Sequence, residues 1–171
     1  ERFGETRNAL RASGNEQATV NYWVDKGASL FMEALTYGHF DGIKKPFPFG
    51  KAHDDGKFYQ SKLDLLSTLI EEHQDEEILR LAYEKKRAVI EATGEAIVAP
   101  GQLPAIIEST KVELDELEGH LATGPFSNGG WLASNSFSLA DIQWGPVLYR
   151  LRWLGLQPLL WEQESILTAY G

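Results

Sequence analysis

Apolar residues recur along this chain every three or four positions, with no convincing stretch of strict alternation. Between Thr19 and Tyr37 they fall at Val20, Trp23, Val24, Leu30, Phe31, Ala34 and Leu35, with Gly27 on the same line, which predicts one helix with one buried face. Gly38 follows where a helix stop is expected. The stretch "HFDGIKKPFPFGKAHDDG" carries two prolines and three glycines and predicts an irregular connection. A second helix fits Lys57 to Glu72, with Phe58, Leu63, Leu66, Leu69 and Ile70 inward. A third fits Asp75 to about Thr93, where Asp75, Glu76 and Glu77 suit the positive end of the helix dipole, and "GEAIVAPGQLP" breaks its pattern. The fourth, Pro104 to Leu121, lines up Ile107, Leu114, Leu117 and Leu121. After the turn-rich "TGPFSNGGWLASNS", a fifth runs from Ser138 to about Leu154 with Ile142, Leu148 and Leu151 inward, and Pro146 should kink it or remove one bond. A last short helix fits Trp161 to Tyr170. The pattern predicts an all-α fold, a helical bundle of about five to six helices.

The sharpest local signal is "SNSFSLADIQWGPVL", residues 134–148. Ser138 suits the N-cap, where its oxygen can accept a backbone N–H left free by the first turn. Asp141, three residues on, can reach back to the N-cap N–H in a capping box, and Phe137 and Ile142 hold the positions of a hydrophobic staple. This fixes a helix start and says nothing of chemistry.

Length and composition narrow the classes. A chain of 171 residues, 43% hydrophobic and 24% charged, is about one globular domain with a real core. The net charge of −9 argues against a nucleic-acid partner, which needs a basic face. The absence of cysteine excludes disulfides, thiolate metal sites and a cysteine nucleophile in this chain. No apolar run reaches membrane-spanning length and no signal peptide is visible. The opening "ERFGETR" reads as the middle of a longer chain.

Candidate chemistry is sparse. His39, His53, His73 and His120 are scattered, no two spaced as paired metal ligands on one helix, and "HDD" at 53–55 fits a polar loop tip better than a metal site. The acidic "EEHQDEE" at 71–77 reads as solvated helix ends, and no metal site is expected. Neither a nucleophile elbow nor a phosphate-binding loop is present, so no residue of this chain is expected to be catalytic by itself. "TYGH" at 36–39 sets a phenol and an imidazole where a long helix gives way to a loop, a common place for ligand groups. A core tyrosine followed by a capping histidine accounts for the same letters, and the two readings stand side by side. Trp23, Trp131, Trp144, Trp153 and Trp161 fall at helical spacing and read as core.

"PFSNGGWLASNSFSLADI", after the amphipathic "ELDELEGHLATGPF", resembles the C-terminal helical domain of the glutathione transferases. Ser134 stands where that family usually has glycine, and the turn before it is longer. "ERFG" is similar to the end of the preceding domain's last helix, while the family's closing segment has no counterpart here. "TYGH" with its long insertion, together with "ADIQW", looks most like the tetrachlorohydroquinone dehalogenase group, whose enlarged helical region the ganglioside-induced differentiation-associated proteins share. The resemblance implies that residues 1–18 are the end of a preceding domain with its linker, that 19–171 form the helical domain, and that the thioredoxin-like domain lies outside this chain. It implies a cytoplasmic homodimer that detoxifies a small hydrophobic electrophile, with glutathione as co-substrate held mainly by the thioredoxin-like domain. On this chain it points to Leu35, Tyr37 and His39 as the electrophile wall and to Asp25 as a carboxylate reaching glutathione's amino group, although a solvated carboxylate explains Asp25 more simply. The parent protein is then an enzyme and this chain alone is inactive. Two other classes fit the same letters: a non-catalytic glutathione transferase-like module for protein assembly, and a free-standing helical ligand binder.

Overall fold

The computed structural model describes residues 14, 16–46, 57–98 and 101–171. Among these the regular structure is helical, without strands: α1 Glu16–Ser29, α2 Met32–Tyr37, α3 Lys57–Glu72, α4 Glu77–Val98, α5 Gln102–Thr123, a 3-10 turn Pro125–Asn128, α6 Leu139–Trp153, α7 Gln157–Leu160 and α8 Ile166–Tyr170. The described residues group into two compact units, one of those up to Phe31 with Ile107–Gly171, the other of those within Met32–Ile106. "ERFG" and "HDD" lie outside the described residues.

In the first unit α1 packs on α6. Its core gathers Val20 and Trp23 from α1, Leu114, Leu117 and Leu121 from α5, and Trp144, Leu148 and Leu151 from α6. The buried Trp144 indole cannot leave its N–H unpaired, and it donates to the Trp23 carbonyl at 2.7 Å. Gly27 lets the two helices approach: a Cβ there would stand 2.6 Å from Gln143 Cγ and 3.3 Å from Trp144. Across α1 and α5, Lys26 Nζ pairs with Glu113 at 2.6 Å and Glu116 at 2.9 Å, and the Tyr22 hydroxyl donates to Glu116.

The predicted start of α6 is present, with Ser138 extended at the N-cap and the capping box formed with Asp141. Asp141 is only 5% exposed. Its Oδ2 accepts the Ser138 N–H at 2.8 Å and the Ser138 hydroxyl at 2.9 Å; its Oδ1 accepts the Leu132 N–H at 2.9 Å and the Tyr170 hydroxyl at 2.8 Å. One carboxylate thus ties the preceding loop, the helix start and the last helix together. Burial first, then the bond to Asp141, pushes the Tyr170 phenol pKa up.

In the second unit α3 and α4 lie along each other, and α2 packs on α4. Gly94 admits the Tyr59 ring, whose carbons would lie 3.3 Å from a Cβ there. Leu66 and Ile97 are buried, while Leu65, Ile78, Leu81 and Val89 stay exposed.

Four expectations are corrected. The helix foreseen from Thr19 to Tyr37 is two, interrupted at Leu30 and Phe31. Just before the break the Ser29 hydroxyl donates to the Lys26 carbonyl at 2.8 Å, the kind of local bond that competes with helix continuation. The third helix runs on through Gly94 to Val98, because the glycine serves packing there and not a stop. Ile142, expected inward, is 44% exposed, and Phe137 packs edge-to-face on Trp131 at 4.9 Å. The last helix, foreseen from Trp161, begins only at Ile166, because Ser165 caps its start by accepting the Leu167 N–H at 3.1 Å, and α7 precedes it where no helix was foreseen. Pro146 lies within α6, which continues across it.

Candidate functional site

The second unit brings Tyr37 and His39 to the end of α2. Gly38 stands between them where a stop was expected, but for want of space: its φ is not left-handed, and a Cβ would lie 2.5 Å from the Ala34 carbonyl and 2.6 Å from Leu103. The Gly38 N–H closes the helix by donating to Ala34 O at 2.7 Å. Leu35 is fully buried. Tyr37 is half-buried, its ring edge-to-face with Tyr59 at 6.0 Å, and the Lys62 ammonium lies 5.5 Å from its centroid. The His39 side chain is 64% exposed, with Nε2 3.6 Å from an Asp41 carboxylate oxygen.

Lys45, which the sequence did not single out, completes this turn. The chain reverses at Asp41–Gly42, where Gly42 takes φ 80°, the left-handed value that the third position of a type II turn requires. The reversal returns the Lys45 ammonium to the end of α2, where Nζ donates to the carbonyls of Leu35 at 2.7 Å, Thr36 at 2.9 Å and Gly38 at 2.6 Å. The Phe40 ring centroid lies 4.7 Å away. Burial pushes this ammonium down from an ordinary 10.5 to about 7. The three carbonyl dipoles oppose that shift, because they favour the charged form.

Tyr59 joins the turn to a groove of about 280 Å³ between α3 and α4, lined by Tyr59, Leu63, Ile90 and Gly94 with Gln60, Glu91 and Glu95. Burial first, then the nearby Tyr37 and Glu33, pushes the Tyr59 phenol pKa up, so it stays a neutral hydroxyl at physiological pH. The Tyr59 ring, Leu63 and Ile90 give the groove an apolar wall of the kind that suits a flat, weakly polar ligand.

In the first unit Asp25 is exposed on α1. A second groove, of about 460 Å³, lies beside Tyr22, Trp23, Glu116 and His120. His120 is committed to structure, with Nε2 2.8 Å from the Leu132 carbonyl and its ring 4.9 Å from that of Trp23. Among the described residues no group of three or more histidine and carboxylate side chains could hold a metal ion. No helix among them is long and apolar enough to cross a membrane. Tyr59 and Lys45 escaped the sequence reading, because both gain their meaning from tertiary contact.

An all-helical domain whose capping box is buried agrees with the family comparison. Residues 106–164 match the family described as "Glutathione S-transferase, C-terminal domain". Over those residues the chain is similar to that family. It is 27% identical over 153 residues to the tetrachloro-p-hydroquinone reductive dehalogenase of Sphingobium chlorophenolicum, covering 86% of this chain and 52% of that protein. It is 30% identical over 123 residues to the 2,5-dichlorohydroquinone reductive dechlorinase of Sphingobium indicum, covering 71% and 34%. It is 33% identical over 107 residues to the human ganglioside-induced differentiation-associated protein 1-like 1, covering 63% and 24%. The chain thus spans about half the length of the first of these relatives and less of the others. No solved structure matches it significantly.

Proposed function

We propose that this chain is the substrate-side half of a glutathione transferase-like enzyme that joins glutathione to a hydrophobic electrophile, or uses it to dehalogenate one. The likeness to a reductive dehalogenase over 153 residues carries this reading. Residues 19–171 act as the helical domain and 1–18 as the end and linker of a thioredoxin-like domain that holds glutathione. Tyr37 and His39 form the electrophile wall, with the buried Leu35 packing the helix that presents them. Asp25 serves the glutathione amino group. In the reaction the thiolate sulfur attacks the activated ring carbon, and halide leaves with its bonding pair. The Tyr37 hydroxyl donates to the negative charge that builds on the electrophile, which matters most in a site shielded from water.

The exposed face of α6 supports a missing partner domain. Leu139, Ile142, Tyr149 and Trp153 form an apolar stripe on solvent, opposite the buried Trp144 and Leu148. An uncovered apolar stripe on a helix marks a surface built for contact, and the thioredoxin-like domain is the occupant proposed for this stripe. The complete protein then works as a cytoplasmic homodimer. A second reading, a non-catalytic protein-interaction module, draws on the α4 face, where Ile78 is 86% exposed near Leu81 and Val89. Assays with chlorodinitrobenzene separate the two. The chain alone should match the buffer rate, and the chain joined to its thioredoxin-like half should exceed it. A rate from the chain alone within about tenfold of a full-length transferase (~1.4 kcal/mol in barrier) would overturn the half-enzyme reading, and an inactive joined protein would favour the module.

A further inference from the structure

The carbonyls of Leu35 and Thr36 end α2, and in an open helix terminus they would look to water. Here they face a half-buried ammonium, and Gly38 O, on the far side of Tyr37, is the third acceptor. An ammonium has three N–H donors, so this cradle uses all of them. The Phe40 face, 4.7 Å from Nζ, adds a cation–π contact and shields the cluster. Drawing an ammonium half out of water into such a charge-assisted cluster costs more than placing an aliphatic side chain there, so packing alone does not account for it. Its partners bracket one residue, Tyr37. The wall reading makes Tyr37 and its neighbour His39 the residues whose placement matters most.

We propose that Lys45 is the positioning residue of the electrophile wall: by bonding the carbonyls of Leu35, Thr36 and Gly38, its ammonium fixes the turn from which Tyr37 and His39 are presented. The proposal rests on the wall reading of Tyr37 and His39. Lys45 itself touches no reacting atom, since its donors are all engaged by the backbone.

The test uses the full chain, isotope-labelled for NMR, as wild type, Lys45→Met and Lys45→Arg. Lys45→Met keeps the stem and removes the donors, while Lys45→Arg keeps a cation with several. The first readout is hydrogen exchange of the Gly38 amide, which closes the turn on Ala34 O. The second is binding of 2,5-dichlorohydroquinone, kept reduced and followed by shifts at Tyr37. Gly38 exchange should accelerate roughly tenfold or more in Lys45→Met and recover at least partly in Lys45→Arg, the size expected for losing hydrogen bonds to a charged group. Probe affinity should fall and recover in the same order. Wild-type Gly38 exchange in Lys45→Met overturns the positioning role, and if Tyr37→Ala still weakens the probe, the wall survives without it. Accelerated exchange with probe affinity unchanged in both Lys45→Met and Tyr37→Ala overturns the wall and the positioning role together. Should Lys45→Met fail to fold, Lys45→Gln decides: its shorter side chain cannot reach all three carbonyls, so Gly38 exchange should again accelerate roughly tenfold, and wild-type exchange would overturn the positioning role.

Discussion

Four donors converge on the Asp141 carboxylate, from the loop before α6, from its N-cap and from the last helix. Two of them are backbone N–H groups whose bonds to Asp141 are buried. Asp141→Asn keeps one carbonyl oxygen but turns an NH2 towards one of these two N–H groups, so it should cost roughly 1–3 kcal/mol for a buried donor left without its acceptor, beyond the weaker bonds a neutral amide makes. Ser138→Ala loses only the hydroxyl and should cost about 1 kcal/mol. Urea midpoints of both variants measure this, and equal losses would contradict the ranking. Lys45 makes the residue-scale prediction for pH. Its folded value is depressed to about 7 against an ordinary 10.5. Between those values the unfolded chain keeps a proton that the folded protein has shed, so this residue's contribution to stability rises with pH across the window. The carbonyl cradle raises the folded value and narrows the window from below. The melting temperature of wild type relative to Lys45→Met should therefore climb as pH goes from 7 towards 10, and a falling difference would reverse the sign.

At the scale of elements, glycines set how closely the helices meet. Gly27→Ala would press a methyl on Gln143 and Trp144 of α6, an overpacking cost of ~1–3 kcal/mol that exceeds the ~1 kcal/mol gained in helix propensity. Gly119, exposed on α5, has nothing within 4 Å of a Cβ, so Gly119→Ala should stabilise by up to about 1 kcal/mol. Thermal melts should show opposite signs, and a shared sign would contradict the close α1–α6 approach. Helices of this kind were legible in the sequence: α3 spans the Lys57 to Glu72 that its period predicts, and Ser138 caps α6. The break at Leu30 and Phe31 was not, because the apolar period runs through it unchanged. Ile142 misled for a related reason: α6 is apolar on both faces, so the pattern cannot say which face is covered. Of the candidate site, Tyr37 and His39 could be found beside a glycine at a helix end. Lys45 could not, because its partners are backbone carbonyls that only the Asp41–Gly42 reversal brings near. Tyr59 needed the pairing of α3 with α4.

At the scale of the whole molecule, the chain combines a net charge of −9 with an uncovered apolar stripe on α6 and about half the length of the reductive dehalogenase it resembles. The uncovered stripe fits the proposal of a domain that works against another one, and the central claim of that proposal is that this domain supplies the electrophile side of a glutathione-dependent reaction. Steady-state kinetics of Tyr37→Phe in the complete protein, with glutathione and the electrophile varied in turn, tests that claim most directly. The substitution keeps the ring against Tyr59 and removes only the hydroxyl. Turnover should fall roughly 10–1000-fold, from weak donation up to the full loss of one donor to developing charge, while KM for glutathione stays unchanged. Weakened glutathione binding at unchanged turnover would contradict the account.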